Sequence, residues 1–131
     1  MVVPKFDKNT KIGIVGPCGS GKSTVSDALK KLQINARHIC QEHSYVPTMW
    51  QRITDPDLLI FLDASYQETI RRRQLNWTIE EYQEQHYRLR HAREHANFYL
   101  YTDGTTPQET IQGVLVFLRE FGIITDAVNS K

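Results

Sequence analysis

The sequence predicts an α/β fold with three α/β/α layers and a small, mostly parallel sheet of four to five strands, and three observations predict it. Four short apolar runs, Lys11–Val15, Ala36–Gln41, Leu58–Leu62 and Phe98–Tyr101, alternate with stretches of helical spacing. Three of those stretches open on S/T-x-x-E, at Ser65–Glu68, Thr78–Glu81 and Thr106–Glu109, the capping box that starts a helix. Between the first run and the first helical stretch lies a glycine-rich loop, GPCGSGKS, at residues 16–23. Strands that alternate with helices imply parallel crossovers, both sheet faces covered, and ligands at the carboxyl ends of the strands.

Taken in order, the first element is KIGIV, an apolar, β-branched run suited to a buried parallel strand, which Gly16 interrupts. The loop then matches G-x-x-x-x-G-K-[ST] at Gly16, Gly21, Lys22 and Ser23, with Gly19 in addition. Val25, Ala28, Leu29 and Leu32 follow at helical spacing, so the motif stands between a strand and a helix, the context that makes it a phosphate loop and the whole a P-loop fold. Glycines admit backbone conformations that bring several N–H groups to phosphate oxygens, and the helix N-terminus adds its positive dipole. The expected ligand is ATP with Mg²⁺. It is cradled by Gly16, Pro17, Cys18, Gly19, Ser20, Gly21, Lys22, Ser23 and Thr24, with Lys22 reaching the β/γ-phosphates and the Ser23 hydroxyl holding the metal.

The second strand, Ala36–Gln41, contains Cys40 and ends before Glu42; the third, LLIFL, is introduced by Asp55-Pro56-Asp57. Pro107 occupies the favoured first position of the last helix, which runs to about Phe121, buries Ile111, Val114, Leu115 and Leu118, and stops at Gly122.

A length of 131 residues predicts one domain over 1–131. The apolar share of 40% and charged share of 24% are those of a soluble globular protein, and the net charge of +1 does not favour a nucleic-acid or membrane binder. The apolar runs have strand length, far below the roughly 20 residues of a membrane span, and MVVPKFDKNTK lacks the apolar region of a secretion signal. Cys18 and Cys40 read as free thiols, which places the protein in a reducing cytoplasm. GTP switching is disfavoured, because neither Asn-Lys-x-Asp nor Asp-x-x-Gly after the second strand occurs.

With the loop in place, the chain resembles the small P-loop kinases that act on nucleosides, nucleotides and dephospho-coenzyme A. PDLLIFLDAS at 56–65 is similar to the strand before their lid, RRRQLNW from Arg71 to a lid with arginines, and ANFYLYTDGTTPQET from Ala96 to the last strand and the loop beside the adenine. The likeness spans nearly the whole chain, and only the phosphate loop in it is specific. It implies that lid arginines neutralise charge on the transferring phosphoryl group. Arg71 and Arg72 are the catalytic candidates, with Arg73 beside them and Arg88, Arg90 and Arg93 as a second set. Successive helical residues point about 100° apart, so the three cannot all face one phosphate. The bland reading is ion pairing with Glu68, Glu80, Glu84 and Glu94. The likeness also implies that Thr105, Thr106 and Pro107 border the adenine. Of His86, His91 and His95, only the last two share a helix face, and solvated histidines are favoured over a metal site.

Phosphoryl transfer needs a second group near the metal. Glu42, just after the second strand, is preferred as metal partner and as the base for an acceptor hydroxyl; Asp63, at the end of the third strand, is the fallback. The acceptor region is short, residues 42–57, and offers His43, Tyr45, Met49, Trp50 and Arg52, of which Tyr45, Met49 and Trp50 read equally well as core. The expected function is transfer of the γ-phosphate of ATP·Mg to a small metabolite, nucleosides and nucleotides among the options. The alternative is a non-catalytic or slowly hydrolysing nucleotide-binding module that works through a protein partner.

Overall fold

A computed structural model describes residue 7, residues 9–73 and residues 76–123, the Arg73 side chain excepted. In chain order the elements are β1 (Ile12–Val15), α1 (Lys22–Lys31), β2 (Ala36–His38), a 3-10 turn (Gln41–His43), α2 (Met49–Ile53), β3 (Leu58–Asp63), α3 (Tyr66–Arg73), α4 (Ile79–Arg88), α5 (Arg90–His95), β4 (Phe98–Tyr101) and α6 (Pro107–Glu120). The four strands form one parallel sheet in the order β2-β1-β3-β4. β1 and β3 are buried on both faces, as their near-continuous apolar sequences require.

Alternation along these strands supplies two cores. Ile12, Ile14, Leu58, Ile60 and Leu62 point to one face and pack with Val25 and Leu29 of α1 and Val114, Leu115 and Leu118 of α6. Val15, Leu59 and Phe61 point to the other, against Trp50 of α2, Leu89 and Ala92. The result is the three-layer arrangement. Gly13 lies on the second face because a β-carbon there would come within 2.8 Å of the Ile39 side chain and 3.0 Å of Pro56.

Two local expectations change. The second strand ends at His38, not Gln41. After the Ile39 N–H donates to the Ile14 carbonyl at 2.8 Å, the chain winds into the 3-10 turn, and the Gln41 side chain is fully buried, accepting from the Trp50 N–H at 2.8 Å and donating to the Val46 carbonyl at 2.9 Å. That use of Gln41 takes it off the sheet. At the Ser65 box only half the reciprocal pair forms: Ser65 Oγ accepts from the Glu68 N–H at 3.1 Å. The Glu68 carboxylate is drawn to Arg71 and Arg72, and the Ser65 N–H donates to Asp103 at 2.9 Å. The Thr78 and Thr106 boxes are complete.

Among the described residues no helix is long and apolar enough to cross a membrane.

Candidate nucleotide-binding site

The site begins with Gly16. A β-carbon there would stand 2.0 Å from the Leu62 carbonyl oxygen and 2.6 Å from Ser20 Oγ, so only glycine lets the chain leave β1 this close to β3. Gly21 is required for a different reason. It has open space around it but a φ of 103°, the left-handed conformation that glycine adopts without strain, and it caps α1 without a side chain. The first N–H groups of α1 therefore have no partner inside the helix and point, with the positive end of the dipole, at whatever lies before them.

What lies before them is a cavity of about 570 Å³, lined by residues 18–25 of the loop and α1 and by His38, Cys40, Glu42, His43, Arg71, Arg72, Thr105, Pro107 and Thr110. This is within the size range of small-molecule and cofactor sites. Lys22 reaches into its floor and is buried; its Nζ donates to the Gly16 carbonyl at 2.8 Å and the Pro17 carbonyl at 3.2 Å and pairs with Glu42 Oε2 at 3.0 Å. Three acceptors satisfy the three donors of an ammonium group. Glu42 is only 3% exposed, and its Oε1 has no hydrogen-bond partner.

Arg71 and Arg72 both face the cavity, held in different ways. Arg71 is exposed and bonds Glu68 with two nitrogens, which holds the Glu68 carboxyl down at about 2. Arg72 is half-buried and acts as a clasp. Its Nε donates to Glu68 at 2.8 Å, its Nη1 to the Gly19 carbonyl at 3.2 Å and to Thr102 Oγ1 at 2.8 Å, and its Nη2 to the Thr102 carbonyl. Thr102 Oγ1 in turn donates to the Asp63 carbonyl at 2.9 Å. One arginine thereby ties the phosphate loop to the ends of β3 and β4.

The remaining sequence-predicted residues divide. Cys18, Gly19, Ser20, Gly21, Lys22, Ser23, Thr24, Glu42, Arg71, Arg72, Thr105 and Pro107 meet at the cavity, while Gly16 and Pro17 contribute carbonyls to Lys22. Thr106 instead caps α6, accepting from the Glu109 N–H at 3.1 Å. Asp63 is buried and not part of the lining. Its oxygens are taken by the Ala64 N–H at 2.9 Å, by the Tyr99 hydroxyl, and by His86 at 3.3 Å. Burial raises its pKa, but the close approach of His86, the hydrogen bond from Tyr99 and the Ala64 N–H outweigh burial and hold it below the ordinary value. The same pairing and burial push Tyr99 up to about 12, burial being the largest cause.

The second arginine set lies outside the cavity lining: Arg88 pairs with Glu84 at 3.0 Å and covers the Tyr45 ring, Arg90 covers Tyr87, and Arg93 covers Tyr99. Trp50 donates to His91 Nδ1 at 3.2 Å, and His91 stacks on His95, so this histidine pair supports the tryptophan. Of the proposed acceptor contacts only His43 lines the cavity; Trp50 is core, Met49 packs against it, and Tyr45 is exposed beneath Arg88. The Arg73 side chain lies outside the described residues.

Sequence reasoning missed Gln85, Thr102 and Thr110. Gln85 of α4, buried, accepts from the Cys18 N–H at 3.0 Å and donates to Cys18 Sγ at 3.3 Å. Thr110 shares a hydroxyl contact with Thr105 at 2.9 Å. The roles of Gln85 and Thr102 depend on contacts between distant segments, which no local pattern marks.

Residues 12–103, more than two thirds of the chain, match the model of a family described as AAA domain. The chain belongs to this AAA domain family. Its match begins at β1, contains the phosphate loop and ends just past β4, so the whole parallel sheet of this AAA domain lies inside it. The family is of P-loop NTPase type, which supports nucleotide binding, and the match contains the phosphate loop that borders the cavity before α1. Among curated proteins none matches the chain.

Proposed function

We propose that the protein is a single P-loop domain over 1–131, working in the cytoplasm, that binds ATP with Mg²⁺ and transfers the γ-phosphate to a small metabolite, nucleosides and nucleotides being the first to test. The observation that carries this reading is the meeting, in one cavity, of Lys22, the buried carboxylate of Glu42 and two arginines from α3 with the N-terminus of α1. A nucleoside triphosphate offers oxygens to Lys22 in place of the Gly16 and Pro17 carbonyls. A third such oxygen, in place of Glu42 Oε2, would free the carboxylate from the ammonium group. The donor set fits a hard cation, since Ser23 lines the same cavity and Glu42 keeps an unpartnered buried oxygen that a cation or a proton donor would satisfy. When bound, Mg²⁺ would supply charge neutralisation on the β- and γ-phosphates.

The rest of the chemistry falls to side chains. Lys22 and the loop N–H groups orient the phosphates. Glu42 accepts the proton of an acceptor hydroxyl if that group comes within hydrogen-bond reach. Arg71, exposed and joined to the protein through one carboxylate, can swing to a developing negative charge; Arg72 keeps the loop in register. Thr105 and Pro107 border the end of the cavity farther along the chain from the loop, where the base would lie, with Thr106 supporting them as the helix cap.

A second reading has its own support. The region between β2 and β3 is spent on structure, with Gln41 and Trp50 buried in it, which leaves little of it to hold an acceptor and favours a nucleotide-binding module that acts through a protein partner. The test is γ-phosphate transfer from ATP·Mg to a panel of nucleosides, nucleotides and small hydroxylated metabolites, with Lys22→Ala as control. Transfer to one acceptor, lost in the variant, supports the kinase. Tight ATP binding without transfer supports the module, and ATP binding undiminished by Lys22→Ala refutes both.

A further inference from the structure

We infer that the cavity lining holds a second, chemically distinct cation site, for Zn²⁺ or a similar borderline-soft divalent ion, formed by Cys18 Sγ, His43 Nε2 and the carboxylate of Glu42. One atom from each of these residues lies within 4.8 Å of the other two. Cys18 Sγ stands 3.7 Å from His43 Nε2, and His43 Nε2 stands 3.7 Å from Glu42 Oε2. Ligands at the zinc distances of about 2.3 Å for sulfur and about 2.0–2.1 Å for nitrogen and oxygen are about 3.4–3.6 Å apart when arranged tetrahedrally. Two of the three separations are therefore within a few tenths of an ångström of the edges of a zinc tetrahedron, and the third, from Cys18 Sγ to the Glu42 carboxylate, is within 4.8 Å.

Two further observations point to a cation. Glu42 is buried, and while its Oε2 meets Lys22 Nζ at 3.0 Å, its Oε1 has no hydrogen-bond partner, a deficit that a cation held by the carboxylate relieves. Gln85 holds Cys18 from behind, with its Oε1 on the Cys18 N–H and its Nε2–H directed at Sγ. Such outer contacts orient metal ligands. A thiolate, an imidazole and a carboxylate select zinc-like ions over Mg²⁺, which prefers oxygen ligands. Three protein ligands also leave the fourth position open toward the cavity, to water or a phosphate oxygen.

Glu42 is the group proposed above for Mg²⁺, so the two uses exclude each other. The test therefore contains no nucleotide, and its outcome is independent of the nucleotide reading. The full chain, kept reduced by a phosphine, is titrated with ZnCl₂ against a chromophoric chelator. One equivalent should bind, and His43→Ala and Cys18→Ser should each weaken binding at least tenfold, with millimolar Mg²⁺ failing to displace it. The His43 side chain is 57% exposed, so its truncation leaves the fold intact. Co²⁺ in place of zinc should give a thiolate charge-transfer band that Cys18→Ser abolishes. No stoichiometric binding by the parent, unchanged affinity in His43→Ala, or a parent Co²⁺ complex without the thiolate band would each overturn the site.

Discussion

Replacing Gly16 by alanine tests together two demands on the first glycine of the loop, backbone freedom and empty space. The added methyl would meet the Leu62 carbonyl oxygen at 2.0 Å and Ser20 Oγ at 2.6 Å. The serine hydroxyl can rotate away, but the carbonyl belongs to the central strand β3 and cannot. Overpacking of this kind costs about 1–3 kcal/mol. A non-glycine residue at a φ of 156° adds about 1–3 kcal/mol of backbone strain. The sum, about 2–6 kcal/mol, is a large part of the roughly 5–15 kcal/mol that holds a domain folded. An unfolding entropy of about 2.1 cal/mol/K per residue gives a chain of this length roughly 0.28 kcal/mol/K. The variant should then melt about 7–20 °C below the parent. Urea and thermal unfolding, followed by the fluorescence of the buried Trp50, measure it. Gly113→Ala is the internal control: its methyl would meet Leu100 at an ordinary 3.4 Å within α6, and helix propensity should raise stability by about 0.5–1 kcal/mol. If Gly16→Ala melts with the parent, the close passage of the loop over β3 is wrong.

The other predictions concern charge and capping. Thr78→Ala removes a complete capping box and should cost about 1 kcal/mol in the same unfolding experiment. Glu42→Gln breaks the buried pair with Lys22 at 3.0 Å; loss of one partner costs about 3 kcal/mol, at the low end of such cases because Lys22 keeps two carbonyls, and chemical denaturation at neutral pH reads it. Asp63 has a folded pKa below its unfolded one, so its stabilising contribution is present above about pH 4 and is lost as pH falls through the folded value. Asp63→Asn should therefore flatten the acid limb of the stability profile. Tyr99 is pushed up to about 12; its contribution holds below about pH 10 and disappears as pH rises toward 12, so Tyr99→Phe should flatten the alkaline limb. Parent and variant limbs that coincide would remove the Asp63–Tyr99 contact from the account of stability.

The parts of this molecule legible in its sequence are those fixed by residues close together in the chain. The continuous apolar run LLIFL placed β3 between two apolar layers, and Thr78 and Thr106 announced their helices because a capping box closes within four residues. The phosphate loop was legible because glycine spacing, strand and helix occupy one continuous segment. The misread places each depend on a competing side-chain partner that the local pattern does not reveal. Gln41 directly follows Ile39 and Cys40 in the run read as β2, yet it leaves the sheet because its amide is claimed by Val46 and Trp50. Glu68 completes a capping motif on paper, but two arginines on its own helix offer a charged alternative that a backbone N–H cannot match. The same competition decides the candidate site. Glu42 acquires meaning only because β2 pairs with β1 and so sets the turn after it beside Lys22. Asp63, with the more conventional strand-end sequence, is taken by Tyr99 and His86 on elements that fold over it. A strand-end carboxylate is thus readable from sequence as a choice between positions, and what decides between them is which one the neighbouring elements leave without a partner.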